Sequence, residues 1–114
     1  MVTIYHNPRC SKSRSTLSLL QDTGLEITVI RYLDTPPTAV EISELCTRLG
    51  LSVREIIRSS ESAYKELSLE NSEHSETSLC QIISDNPILM QRPIVVNGAR
   101  AAIGRPPESV LEIL

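Results

Sequence analysis

Residues 2–13, VTIYHNPRCSKS, contain an apolar run, an Asn-Pro pair that ends it and the start of a helix. Val2 to Tyr5 is typical of a short buried strand, and Asn7-Pro8 ends it. From about Ser11 to Asp22 the pattern becomes helical, with leucines as its apolar residues. The stretch therefore predicts a strand that leads directly into a helix, with Cys10 at the junction.

A second strand is predicted after this helix. Residues 25–32 alternate between apolar and polar for most of their length, with Ile27 and Val29 on one face. Strand, helix and strand within about thirty residues form a βαβ unit, which is right-handed and has parallel strands.

The middle of the chain, about residues 38–87, is predicted to be a helical insert. Two capping boxes of the form Ser/Thr-x-x-Glu open its first two helices. The second of these helices is short and carries Arg58. The first helix is expected to begin at the Thr38-x-x-Glu41 box and to end at Gly50, and the second begins at the Ser52-x-x-Glu55 box. A third helix is expected over roughly residues 75–84, and Asn86-Pro87 ends it.

The end of the chain predicts a hairpin and a helix. Asn97-Gly98 lies between two apolar runs and suits a type I′ turn. Pro106-Pro107 then starts a last helix, whose Val110, Leu111 and Leu114 can lie on one face. The order β-α-β, helical insert, β-β-α predicts an α/β protein with a thioredoxin-like fold. We expect a single domain over residues 1–114 and a mixed four-stranded sheet with helices on both faces.

Composition excludes several classes of function. The net charge is −3, and the chain has no Trp or Phe, which argues against binding of nucleic acid. No apolar run has the roughly 20 residues of a membrane span, so no membrane partner is expected. The odd number of cysteines, at 10, 46 and 80, is neither a disulfide framework nor a zinc pattern. We therefore expect a cytoplasmic protein without a metal.

Cys10 is the candidate nucleophile. A thiol at a helix start faces unpaired backbone N–H groups, and its basic neighbours, Arg14 among them, also favour the thiolate. Ser13 is placed to donate a hydrogen bond to the sulfur. It also replaces the second cysteine of a C-x-x-C pair, so another thiol must complete any exchange at Cys10. Cys46 reads as a core residue, whereas Cys80 could be partly exposed, and a resolving role for Cys80 stays open.

Three arginines lie at informative places in the sequence: Arg58 ends a short helix, Arg92 precedes Pro93 before a strand, and Arg105 precedes the last helix. The position of Arg92-Pro93 matches the place where the predicted fold has a cis-proline loop facing its redox cysteine. Guanidinium groups suit tetrahedral oxyanions because they bind bidentately and keep their charge. His6, at the end of the first strand, could hold a thiolate by charge or by hydrogen bonding.

Four segments of this chain, taken together and in order, resemble the glutaredoxin-linked arsenate reductases, the ArsC family. They are residues 5–14 (YHNPRCSKSR), 32–37 (YLDTPP), 92–96 (RPIVV) and 104–107 (GRPP). The resemblance implies a thioredoxin-like fold with a helical insert, Cys10 as the single nucleophile and His6 as its assistant. It also implies that Arg58, Arg92 and Arg105 bind arsenate or a similar oxyanion. Glutathione is implied as the co-substrate and glutaredoxin as the protein partner, with no bound cofactor.

Two alternatives remain open at this point. The Spx proteins are similar in fold and in the Arg-Pro-Ile segment, and they act by binding RNA polymerase. Their redox-switch members carry C-x-x-C, which Ser13 removes here. The other alternative is a glutathione-dependent thiol oxidoreductase acting on a different substrate. It stays open because Ser11-Lys12 stands where the best-known arsenate reductases usually have Gly-Thr.

Overall fold

The computed structural model describes residues 2–71 and 73–114. These form two compact units, one of Met1–Thr35 with Arg92–Leu114 and one of Pro36–Gln91. The single-domain organisation stays a prediction. The first unit contains β1 (Val2–His6), α1 (Ser11–Asp22), β2 (Ile27–Arg31), β3 (Ile94–Asn97), β4 (Arg100–Ile103) and a final 3-10 helix (Pro107–Ile113). The second contains α2 (Ala39–Leu49), a 3-10 turn (Val53–Ile56), α3 (Ser62–Glu66), α4 (Glu76–Asp85) and a second 3-10 turn (Pro87–Leu89).

The four strands of the first unit form one sheet in the order β2-β1-β3-β4. β1 and β2 are parallel, whereas β1 pairs with β3 and β3 with β4 in antiparallel fashion. This mixed sheet and the order of its strands and helices confirm the predicted α/β, thioredoxin-like architecture. β2 is the predicted second strand and lies at an edge of the sheet, where Val29 is 44% exposed.

One face of this sheet carries the core of the first unit. Val2 and Ile4 of β1 alternate onto that face and pack with Val95 of β3. Leu20 of α1 and two residues of the final 3-10 helix complete the cluster. Each such aliphatic side chain contributes roughly 1.5–3 kcal/mol when fully buried. The packing holds α1, and therefore the Cys10 turn before it, against β1.

The last helix differs from its prediction. It is a 3-10 helix, in which side chains three apart lie on one face. Val110 and Ile113 are buried accordingly, while Leu111 is 44% and Leu114 39% exposed. The predicted face of Val110, Leu111 and Leu114 assumed an α-helical period and was wrong.

The β3–β4 hairpin is confirmed, but its turn is not of type I′. Asn97 pairs with Arg100, so the loop consists of Gly98 and Ala99. Gly98 has φ +60°, and Ala99 does not share a positive φ. Type I′ requires positive φ at both central residues, whereas type II′ requires it only at the first, where Gly is found.

α2 follows its sequence signals closely. Thr38 N–H donates to Glu41 Oε1 at 2.9 Å, and Glu41 N–H donates to Thr38 Oγ1 at 3.2 Å. Gly50 ends α2 in the left-handed conformation, at φ +70°. α3 was not predicted. Among residues 2–71 and 73–114, no helix has the length and apolar character that crossing a membrane requires.

Candidate active site at the start of the first helix

Cys10 is the N-cap residue of α1, at the end of a tight turn. Its N–H donates to Asn7 O at 3.0 Å, and Arg9 N–H donates to Asn7 Oδ1 at 3.0 Å. Asn at the first position and Pro8 at the second are the residues such a turn favours. The Cys10 side chain makes no capping hydrogen bond and is 9% exposed. The turn thus places Cys10 at a helix start whose first N–H groups its side chain leaves uncapped.

Ser13 anchors this turn from within α1. His6 Nδ1 lies 2.6 Å from Ser13 Oγ, and Asn7 N–H donates to the same oxygen at 3.0 Å. Ser13 is fully buried and His6 is nearly so. The hydroxyl is therefore paired with the strand end, and not, as predicted, with the Cys10 sulfur. The sequence did not reveal this pairing because it depends on how α1 packs against β1.

The surroundings of His6 lower its pKa and so favour the neutral ring. Burial lowers its pKa from the ordinary value of 6.5, and the positive charges of Arg31 and Arg14 lower it further. Arg14 is fixed near the turn because its Nη1 donates to Pro8 O at 2.9 Å. Of the two predicted ways of assisting a thiolate, hydrogen bonding fits a neutral imidazole and positive charge does not.

Strand register brings Pro93 to the same end of the sheet as Cys10. Tyr5 pairs with Ile94, and Ile94 pairs with Ile103. Because β1 and β3 are antiparallel, Pro93, the residue before Ile94, lies opposite the end of β1. The Arg92–Pro93 peptide bond is cis, as predicted, and the Arg105–Pro106 bond is also cis. Gly104 N–H donates to Pro93 O at 2.9 Å, which continues the β3–β4 pairing by one step.

Gly104 is a site residue that the sequence analysis missed. A Cβ at this position would lie 2.5 Å from Thr16 Oγ1 and 2.7 Å from Pro93 Cγ. Only a residue without a side chain allows the three segments to approach this closely. The sequence signal that could have identified Gly104 is a glycine directly after a predicted strand and directly before Arg-Pro. Thr16, which is buried on α1, carried none.

Arg92 and Arg105 are brought together at this end of the sheet. Arg105 Nε donates to Arg92 O at 2.9 Å. Arg92 Nε is buried and has no acceptor among the residues that the structure describes. The Arg105 guanidinium therefore contacts the backbone of the cis-proline loop, and Arg92, which precedes that proline, keeps a buried donor that the described residues leave unused.

Arg58 belongs to the second unit. It does not end a helix, because Ile57 before it is extended and pairs with Met90 as an isolated bridge. Arg58 N–H donates to Leu89 O at 2.7 Å, and its side chain forms a short ion pair with Glu61. Its membership of the oxyanion site stays a prediction.

Cys46 and Cys80 line a separate cavity within the second unit, of about 600 Å³, between α2 and α4. Burial, the neighbouring Cys80 and Glu76 raise the pKa of Cys46 to about 11. Burial and Glu76 also raise the pKa of Cys80. Cys46 is a core residue as predicted. Cys80 is only 5% exposed, so the predicted partial exposure was wrong.

Known proteins resemble this chain over its whole described length. A 55% identical relative is the uncharacterized protein YfgD of Escherichia coli K12, matched over 99% of this chain and 96% of that protein. An arsenate reductase of Neisseria meningitidis is 45% identical, over 99% and 97% of the two chains. The solved structure of an arsenate reductase from Vibrio cholerae superposes with a TM-score of 0.96 at 50% identity, covering 99% and 97%. The model of the ArsC family matches residues 5–113, and this chain belongs to the ArsC family.

Proposed function

We propose that this protein reduces arsenate to arsenite with glutathione and glutaredoxin, in the cytoplasm, through Cys10 as its single nucleophile. The observation that carries the proposal is the grouping of Cys10, cis-Pro93, Arg92 and Arg105 at one end of the sheet. Relatives named arsenate reductase that match nearly the whole chain support the choice of substrate.

The oxyanion would be bound by two kinds of donor. The uncapped backbone N–H groups at the start of α1 face an anion and carry the positive end of the helix dipole. Arg92 and Arg105 add guanidinium groups, and the buried Nε of Arg92 gains an acceptor when an oxyanion is present. By resemblance to the family, Arg58 is proposed as a third arginine of this site.

The proposed chemistry consumes two thiols. The Cys10 thiolate attacks arsenic, an As–S bond forms and hydroxide leaves. Glutathione then attacks the Cys10 sulfur, the As–S bond breaks and its electron pair stays on arsenic, which becomes trivalent. Overall, the Cys10 thiol, one glutathione and arsenic acid give the Cys10–glutathione disulfide, arsenous acid and water. Glutaredoxin restores the Cys10 thiol by disulfide exchange.

His6 would act as a positioning residue. Among the described residues its hydrogen-bond partner is Ser13 and not the Cys10 sulfur. Its neutral ring holds Ser13 Oγ, and Ser13 Oγ holds the Asn7 N–H at the start of the Cys10 turn. In this proposal the arginines and the helix supply the positive charge, while His6 and Ser13 supply a fixed geometry. The absence of a second thiol in the turn, where Ser13 stands, supports an external reductant.

The experiment that tests the function is arsenate-dependent oxidation of NADPH, coupled through glutathione reductase and glutaredoxin. Turnover is expected for the wild-type chain and for Cys46→Ser, and it should be absent for Cys10→Ser. If arsenate gives no oxidation of NADPH, and a glutathionylated protein gives oxidation that depends on this chain when glutaredoxin is left out, the function is general thiol reduction. If neither substrate is turned over and RNA polymerase is captured, the chain is a regulator and the proposal is wrong.

A further inference from the structure

A shallow groove runs along α1 within the first unit, next to the Cys10 turn. Its volume is about 480 Å³, and its walls are one face of α1 and the start of the final 3-10 helix. The lining residues are Arg14, Ser15, Ser18, Leu19, Pro107 and Glu108. Arg14 N–H donates to Cys10 O at 3.0 Å, so the groove begins one helical turn from the nucleophile. Its other wall starts directly after Arg105-Pro106.

The two walls carry opposite charges. Arg14 Nη1 donates one hydrogen bond to Pro8 O. The other N–H groups of the guanidinium remain available to a ligand, since Arg14 is exposed. Glu108 is exposed on the facing wall. Among the described residues the ion pairs are Arg31 with Asp34 and Arg58 with Glu61, so neither Arg14 nor Glu108 is neutralised by a salt bridge.

The remaining lining groups suit a short peptide. Ser15 and Ser18 offer hydroxyls that can donate to or accept from peptide groups, and Leu19 and Pro107 offer apolar contact. A groove with one cation, one anion and two hydroxyls complements a zwitterion. It does not complement arsenate, which has no positive group for Glu108.

We propose that this groove binds glutathione and directs its thiol to Cys10. The assignment rests on the proposed function for its biological role, since it gives the location of that reaction's thiol co-substrate. Arg14 would bind a carboxylate of the tripeptide, and Glu108 would bind the ammonium group of its γ-glutamyl end. An extended tripeptide spans roughly 10 Å. Arg14 lies about 6 Å along the helix axis from Cys10, so a tripeptide of this length that is bound at Arg14 can extend from the groove to the Cys10 turn.

The proposal can be tested without arsenate. The Cys10 thiolate attacks one sulfur of glutathione disulfide, the disulfide bond breaks, the Cys10–glutathione disulfide forms and a glutathione thiolate leaves. The rate of this step is followed by mass spectrometry after acid quenching. Bis(2-hydroxyethyl) disulfide, which reacts by the same exchange and carries no charge, serves as the reference reagent.

Two variants alter the groove, and each has a control on the same helix. Glu108→Gln removes the proposed ammonium partner, and Glu112→Gln removes a carboxylate outside the groove. Ser18→Tyr fills the groove, and Gln21→Tyr adds the same ring at an exposed position that does not line it. Circular dichroism and the melting temperature establish that each variant is folded.

Glu108→Gln should slow the reaction with glutathione disulfide by about threefold, the size expected for an exposed charge pair. Ser18→Tyr should slow it by about tenfold, because it displaces the bound peptide. Neither variant should change the rate with bis(2-hydroxyethyl) disulfide, and both controls should behave as the wild type with either reagent. The effect of Glu108→Gln should also shrink at high salt.

The inference is overturned if the groove variants react with glutathione disulfide at the wild-type rate. It is equally overturned if they slow both reagents alike, since the change then lies at Cys10 and not in recognition. Failure of the proposed function looks different: the groove variants would still discriminate between the two disulfides, while the wild type would not turn over arsenate in the coupled assay.

Discussion

His6 Nδ1 and Ser13 Oγ lie 2.6 Å apart in the interior of the first unit, and this contact joins the end of β1 to the first turn of α1. The same oxygen accepts the Asn7 N–H at 3.0 Å. One hydroxyl thus holds both the strand end and the turn that leads to Cys10.

Ser13→Ala should destabilise the protein by about 1–3 kcal/mol, because it leaves buried polar groups of His6 and Asn7 without their partner. Urea unfolding measures the change in the free energy of unfolding. Ser11→Ala, an exposed position on the same helix, is the control and should have little effect. A Ser13→Ala protein as stable as the wild type would show that the contact carries no net stability.

The neutral state of His6 predicts a pH dependence of stability. Its pKa is lowered in the folded protein, so below the ordinary value of 6.5 the unfolded chain binds the proton more readily than the folded one. The contribution of His6 to the free energy of unfolding is therefore complete above about pH 6.5, and it is lost as the pH falls toward the pKa of the folded state. His6→Gln should lose this component.

The measurement is the difference in unfolding free energy between wild type and His6→Gln across a pH series. The disadvantage of the variant should shrink as the pH falls through and below 6.5. Comparing the two proteins cancels the carboxylates, which titrate in both. A difference that stays constant with pH contradicts the lowered pKa.

Gly104→Ala should destabilise the protein by about 1–3 kcal/mol, because the added Cβ meets Thr16 Oγ1 and the Pro93 ring at less than van der Waals distance. A double-mutant cycle with Thr16→Ala should be less than additive, since the second change removes one of the two clashes. If the changes in unfolding free energy of the two single variants simply add up in the double variant, the Cβ at position 104 does not clash with Thr16.

Alanine at Arg92 or Arg105 should reduce kcat/KM for arsenate by about tenfold or more, because each change removes a charge-assisted hydrogen bond to the oxyanion. Lysine at either position should restore only part of the loss, since an ammonium cannot bind bidentately. Arg48→Ala, an exposed arginine at the end of α2, is the control.

Arg58 needs a second control, because its alanine variant also leaves Glu61 without its partner. Arg58→Ala is expected to lower kcat/KM as the other two do. Glu61→Gln removes the same ion pair while keeping the guanidinium, so the two variants separate a role in stability from one in anion binding. Wild-type arsenate kinetics in all three alanine variants would rule out the arginine site.

Cys46 and Cys80 should react slowly with iodoacetamide near neutral pH, because burial and Glu76 raise the pKa of both thiols. Mass spectrometry should therefore find Cys10 modified first. The Cys46→Ser, Cys80→Ser double variant should keep most of its glutathione-dependent turnover. Loss of turnover in a folded double variant would assign one of these cysteines to the resolving step.

Short-range signals in the sequence determined the elements whose hydrogen bonds are local. The capping box of Thr38 and Glu41, the stop at Gly50 and the strand-to-helix junction at Cys10 each depend on residues a few positions apart. The order of strands followed, because βαβ and hairpin connections leave few topologies. The nucleophile position was therefore predictable, as was the cis-Pro93 loop.

Contacts between distant segments decided the rest. Ser13 pairs with His6 because α1 packs on β1, and Gly104 is required because Thr16 and Pro93 converge there. The last helix buries Ile113 and not Leu111 because Ile113 packs into the core cluster of the first unit, and no pattern of apolar residues specified its three-residue period. These choices follow from packing and from satisfying buried polar groups, and both depend on partners that the sequence does not place side by side.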